Sequence, residues 1–453
     1  MSLSQRRLIF LAFTLLFLMI APIALLYATG RTINWQEFEI QKTGSIIVES
    51  IPHNADIFLN NTRPNLFVDQ ILKKNSTPKT DTRITNLTPG NYTIKLILSG
   101  YHEWERRTTI NENEVTHIGP IHLFKKSKPE LFSSLEKDQP LFISPDKKTV
   151  LSLNAQTITI LQVPEKIQHQ LKITDQKYPV IHWSNDNANF ILNDSYVISR
   201  NGELLANLTQ KLNISPSFVR WDNKNNDRIF YIEKNQLKKY NFTSTQKEVV
   251  KDLSSILKMG ELDDYKPSDS YLYFVIKKAE ISEIKIIELN SPHREADTPL
   301  ERGTYHFISD YRDQILLKNI HKNIVYLLEQ PLPLFFTPRL SLVATDYAHG
   351  RWESNELIYT TPFEIRSWRN NQATLISRFG ETITDLAKIQ KNNEIIFTTS
   401  HNINVIPLSE QPFGQTVTLL DSVQISSLLL VNSDILYFIG EVDGNYGVYT
   451  LEY

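Results

Sequence analysis

The chain has 453 residues, more than one ordinary domain needs, and long enough to bury two or more cores. Its formal net charge is −2 with 22% charged residues, so it offers no polyanion-binding surface and nucleic acid is excluded as a partner on charge grounds. With no Cys, it has no disulfides, thiolate chemistry, Cys-based zinc sites or acylated lipoprotein Cys.

Residues 1–7 form a short N-terminus that carries Arg6 and Arg7. From Leu8 to Tyr27 the chain reads LIFLAFTLLFLMIAPIALLY, without a charge. A helix of about 20 such residues spans a bilayer core of roughly 30 Å. The expected transmembrane anchor is 8–28. Arg6 and Arg7 precede it, while Glu37 and Glu39 follow the far side. The positive-inside rule then places the N-terminus in the cytoplasm and the bulk outside, in a single-pass protein of the cell membrane. Pro22 lies within the span, where membrane helices tolerate it. The competing reading is a cleaved signal peptide. It asks for a shorter apolar core and a small-x-small exit, whereas Leu26-Tyr27-Ala28 puts Leu where a small residue is wanted. Both readings put the rest of the chain outside the cytoplasm.

Residues 29–42 read as a polar stalk. From 43 to 124 the pattern alternates as strands do. In the run Tyr92, Ile94, Leu96, Leu98 every second residue is apolar, so one face packs and the other is mostly solvated. Pro89-Gly90-Asn91 and Ser99-Gly100 punctuate such runs as turns. The stretches GSIIVESIPHNADIFLN and TRITNLTPGNYTIKLILSGYHEWERRTTI resemble a PEGA domain. The matching positions are Pro52, Ala55, Leu87, Pro89, Gly90, Tyr92, Gly100, Tyr101 and Trp104. The naming turn departs, with His53 and Asn54 where Glu and Gly are usual. Asn best replaces Gly at positive φ, so the turn is expected to survive. Asn65 to Ser76 reads as an extra loop. The resemblance implies a small β-sandwich of surface proteins, and no catalytic set comes with it.

Residues 125–139, opening Lys125-Lys126-Ser127-Lys128-Pro129, have the composition of a linker. From 140 to 453 a unit repeats at roughly 40 residues, the period of a propeller blade: an apolar approach, a polar turn, an apolar strand. The units begin at Leu141, Ile181, Phe218, Asp264, Phe307, Arg351, Lys388 and Leu430. The turn Ser144-Pro145-Asp146, and after it Ser184-Asn185-Asp186 and Trp221-Asp222, resembles the blade turn of TolB-like and WD-repeat-like β-propellers. The Gly-His and Trp-Asp signatures of true WD repeats are absent. The expected fold is all-β with one N-terminal transmembrane helix: a small PEGA-type β-sandwich, then a seven- or eight-bladed β-propeller. The final run Val448 to Leu451 is expected to close the ring beside the first blade.

No Gly-x-Ser-x-Gly elbow, Walker loop, Gly-x-Gly-x-x-Gly, His-Glu-x-x-His or EF-hand pattern occurs. No catalytic, cofactor-binding or metal residues are assigned, and no cofactor is expected. His117 and His122 lack a third ligand nearby. Asp263-Asp264 and the pair Asp310 and Asp313 lie near blade turns; such carboxylates are better explained as hairpin caps than as an acid–base pair. Trp183, Trp221, Trp352 and Trp368 fall in the repeats. Blade packing accounts for them; the sharper reading is a stacking platform for a glycan or peptide. Asn-x-Ser/Thr triplets, such as those at Asn86 and Asn207, follow from abundant Asn and Thr. The function expected is a membrane-tethered extracytoplasmic binding or scaffold protein of the cell envelope. Its partners are the bilayer, through one helix, and an envelope protein, peptide or glycan. The alternative is a propeller-based envelope enzyme, a glycan lyase or hydrolase with its site in the central funnel.

Overall fold

In the computed structural model the apolar run forms one helix, Leu3–Ala28, long and apolar enough to cross a membrane. The structure describes residues 3–34, 39–64, 77–154, 156–173, 179–289, 294–311, 314–329, 338–353, 355–389, 392–408, 415–431 and 434–453. The expected loop from Asn65 to Ser76 lies outside them. Side chains from Gln5 to Met19 stand exposed. Two compact units are present: Met1–Ser127 with Val405–Leu419 and Glu452–Tyr453, and Lys128–Asn404 with Leu420–Leu451.

In the first unit the expected stalk is instead a hairpin. Arg31–Asn34 pairs antiparallel with Glu39–Lys42. Thr43 closes it by donating its N–H and its hydroxyl to Gly30 O, at 2.9 and 2.8 Å. Beyond Thr43 come two three-stranded sheets. One places Gly44–Ile51 between Thr82–Leu87 (antiparallel) and Val115–His122 (parallel). The other places Gly90–Ile97 between Asp56–Leu59 and Trp104–Ile110, antiparallel on both sides. Alternation supplies the shared core: Ile46, Val48, Ile57, Ile94, Leu96 and Trp104 are buried together, and their neighbours in sequence, Ser45 apart, are more exposed. Asn54 adopts φ +69°, the left-handed conformation expected for the residue replacing Gly in the turn.

Beyond residue 127 the described residues form eight four-stranded sheets, blades 1 to 8: 141–172, 181–207, 217–252, 261–300, 305–344, 350–378, 383–420 and 424–452. Within blades 1 to 7 the strands are hydrogen-bonded in chain order. Each repeated turn unit of the sequence falls on the first hairpin of one blade. Second strands such as Tyr271–Lys277 and Glu394–Thr399 are buried almost throughout. They are apolar on both faces because a blade lies on each side. Fourth strands such as Gln372–Arg378 are largely exposed.

Blade 8 differs. Its order runs from Gln424–Val431 through Ile435–Val442 and Asn445–Glu452 to Glu130–Ser134. The stretch 125–139, expected to be a linker, therefore supplies the outer strand of the last blade. Gly447, Val448, Tyr449 and Thr450 pair with Ser134, Ser133, Leu131 and Glu130. The C-terminal strand thus joins the last blade to the strand that leads into blade 1.

Candidate functional site

The first strands of neighbouring blades pack side by side: Ser217–Asp222 on Glu261–Pro267, Glu261–Pro267 on Tyr305–Tyr311, and Ile383–Ile389 on Gln424–Val431. They gather polar side chains that are far apart in sequence. Arg220 lies at the centre of one cluster. Its Nη1 is 2.9 Å from His182 Nε2, and its Nη2 donates to Asp264 Oδ1 at 2.8 Å. His306 Nδ1 approaches Asp264 Oδ2 at 3.4 Å. Four consecutive blades, 2 to 5, each contribute one residue.

The cluster's electrostatics follow from burial. Desolvation pushes the His182 pKa down, helped by the Arg220 charge, to about 4. His182 is therefore neutral near pH 7, and its Nε2 accepts from Arg220. Burial alone would raise the Asp264 pKa. His306, Arg220 and the Phe307 amide outweigh it and leave the carboxyl below its usual range. The hydrogen bond to Asp264 in turn raises the His306 pKa.

Asp264 and its neighbour Asp263 are not hairpin caps. They sit in the first strand of blade 4 and accept amides from blade 5, Asp263 from Tyr305 N at 3.0 Å and Asp264 from Phe307 N at 3.1 Å. Asp264 also accepts from Tyr265 N at 2.8 Å. Blade 7 repeats this geometry with other partners. Asp385 accepts from Leu386 N at 2.8 Å and from Leu428 N, in blade 8, at 2.9 Å. Ser427 Oγ donates to it at 2.9 Å, and Lys147 Nζ reaches both oxygens at 2.8 and 2.9 Å. A register shift precedes each aspartate, between Leu262 and Asp264 and between Ile383 and Asp385. Such bulges re-aim a side chain, here sideways onto the next blade. The two segments, Leu262-Asp263-Asp264-Tyr265 and Ile383-Thr384-Asp385-Leu386, share an apolar-x-Asp-apolar pattern that a repeat-by-repeat alignment of the sequence would have exposed.

The four tryptophans do not form one platform. Trp183 is half-buried against Phe190, with ring centroids 5.1 Å apart. Trp221 is buried, and its Nε1 donates to His182 O at 2.8 Å. Trp352 and Trp368 stand on the first and third strands of blade 6 and pack in one cluster with Leu357 and Tyr359. Trp368 also lines an open groove of about 980 Å³ beside Leu342, Phe363, Arg366, Arg378 and Phe379. Leu342 and Phe363 are about half exposed there, at 53% and 49%. Arg366 and Arg378 both donate to Glu364, through Nε at 2.6 and 2.8 Å. The groove therefore combines an apolar wall with a fixed polar rim, a pattern common to ligand sites.

His117 faces Glu49 at 3.3 Å and His122 packs on Phe124 with ring centroids 4.9 Å apart, so the pair does not converge. Among the described residues no group of three or more metal-ligating side chains occurs. The Asp310 side chain and Asp313 lie outside the described residues.

Residues 71–121 match the PEGA domain family. A PEGA domain thus precedes the eight blades. No curated protein matches the chain. Among solved structures, the chain is similar to a eukaryotic initiation factor, at 11% identity over 73% of this chain and 88% of that one, with a TM-score of 0.47. It is also similar to the β-propeller domain of Cps50 (Swd1) from Myceliophteria thermophila, at 7% identity over 71% and 99% (TM-score 0.36). A third is BamB from Moraxella catarrhalis, at 8% identity over 72% and 100% (TM-score 0.40).

Proposed function

We propose that this chain is a membrane-tethered, extracytoplasmic binding protein of the cell envelope. The helix Leu3–Ala28 is its tether and the propeller is its binding module. The charge asymmetry around the helix supports a cytoplasmic N-terminus, and the PEGA domain supports an envelope location. The ligand is an envelope protein, peptide or glycan, received in the groove beside Trp368.

One observation carries binding over catalysis. The carboxylates gathered on the first strands, Asp264 and Asp385, have both oxygens engaged by backbone amides and a paired cation. A general acid or base must exchange its proton with substrate. These two instead recur as pins between blades, which argues against their serving as the acid–base pair of a glycan lyase or hydrolase.

The test uses the full chain in detergent, exposed to envelope extracts. A ligand retained by the native protein and lost on Phe363→Ser or Arg378→Gln supports the groove. Equal retention by both variants would sink it, and recovery of the intact protein from the soluble fraction of cells would refute the tether.

A further inference from the structure

Blade 3 carries a second cavity, separate from the groove, of about 400 Å³. The residues that line it are polar or charged and include Asn225, Arg228, Lys239, Asn241, Lys247 and Glu248. The sheet register assembles it: Arg228 lies opposite Asn241, and Lys239 opposite Glu248. Lys239 and Asn241 are two apart on one strand, so they share a face.

The hydrogen bonds decide what this cavity presents. Asn241 Oδ1 accepts from Thr243 N and Ser244 N at 2.9 and 2.8 Å. Asn225 Oδ1 accepts from Asp227 N at 2.8 Å. Only the oxygen of a carboxamide can accept, so both amides are fixed in orientation, and each NH₂ group is turned away from its own turn. Asp222 lies behind, its Oδ1 capping Lys224 N at 3.0 Å and its Oδ2 shared between Arg228 Nε at 3.3 Å and Lys239 Nζ at 4.0 Å. One carboxylate thus serves two cations. Arg228, Lys239 and Lys247 outnumber Asp222 and Glu248, and the oriented amides add further donors. A cavity rich in donors and with surplus positive charge is complementary to an oxyanion.

We propose that the blade 3 cavity binds an oxyanionic group, a phosphate or a sugar carboxylate. The volume admits more than a bare ion, so the anion can be carried on a larger polar body. Lys239 and Lys247 are the contacts that supply charge, and Asn225 and Asn241 those that orient it. The site is independent of the groove beside Trp368.

Calorimetric titration of the full detergent-solubilised chain tests this with three probes: inorganic phosphate, glucuronate and uncharged glucose. Saturable binding of phosphate identifies a phosphate site, and of glucuronate a carboxylate site; glucose is expected not to bind. Lys239→Gln and Lys247→Gln should each weaken the anion about tenfold, as loss of a charge-assisted hydrogen bond does. Lys247→Arg should retain it, and Lys172→Gln, on blade 1, should leave it unchanged. Thermal midpoints equal to the native protein's establish that the variants fold. Absence of binding by both anions, or undiminished binding in Lys239→Gln and Lys247→Gln, overturns the proposal. Phe363→Ser should not affect this titration, so the two sites fail or stand separately.

Discussion

His182 ties the stability of the propeller to pH. Its folded pKa of about 4 lies below the ordinary histidine value of 6.5. Between these values the unfolded chain binds the extra proton, so stability is full above the upper value and is lost as pH falls through the window. The shift sets a ceiling of about 3 kcal/mol on that loss. His306 has the opposite sign: its raised pKa gives stability that is present at low pH and lost as pH rises through its folded value. His182→Gln keeps an acceptor for Arg220 and removes the titration. Denaturation midpoints measured at either end of the window should therefore converge in this variant; a slope unchanged from the native protein would show that His182 is not its source. Asp264→Asn is the harsher change. It leaves Arg220 without a counter-charge and replaces an oxygen that accepts from Phe307 or Tyr265 with a group that cannot. Breaking such a pair costs about 3 kcal/mol, measurable as a lowered urea midpoint at neutral pH.

At the scale of the hairpin, the repeated turn shows how much of the fold was legible. Ser144 and Ser184 make the same bonds five residues on: Thr149 N donates to Ser144 Oγ at 2.9 Å, and Asn189 N to Ser184 Oγ at 3.0 Å. Asp146 and Asp186 each accept the amide two residues on. Local chemistry of this kind is written in the sequence, and with the recurring apolar–turn–apolar pattern it made the first hairpins legible there. The fourth turn residue is left-handed in both, Lys147 and Asn187 each at φ +58°. Glycine would relax both, by up to about 1 kcal/mol. Lys147 also neutralises the buried Asp385, an interaction worth about 3 kcal/mol when broken. The larger effect wins: Lys147→Gly should destabilise by about 2 kcal/mol, while Asn187→Gly should be neutral or slightly stabilising. Equal responses in thermal melts would mean that the Lys147 pair contributes nothing. What escaped the sequence is long-range. Asp264 looked like a turn residue because its partner amide is in the next blade. Glu130 to Ser134 looked like linker because its pairing partner is about 320 residues away, Thr450 against Glu130. The polar run 31–42 alternates too weakly to be read as paired strands.

On the scale of the whole propeller, the decisive strand is the last. A ring of blades has two open edges unless its ends meet, and here Asn445–Glu452 carries Glu130–Ser134 as its outer neighbour. The two ends do not contribute equally. Val448, Tyr449 and Leu451 are buried, at 0%, 3% and 1% exposure, whereas Leu131 is 47% exposed and Phe132 half-buried. At about 1.5–3 kcal/mol for each fully buried side chain, the C-terminal strand contributes several kcal/mol, a large share of the 5–15 kcal/mol typical of a folded protein. The outer strand contributes mainly ladder hydrogen bonds, about 1 kcal/mol each. Truncation before Gly447 should therefore abolish cooperative unfolding or lower its midpoint greatly. Replacing Glu130 to Ser134 by a Gly/Ser segment of equal length should lower it less and leave the other blades folded. Circular dichroism melts of the two variants give the comparison. A truncated chain that melts like the native protein would mean that blades 1 to 7 hold themselves together and that the ring does not depend on its closure.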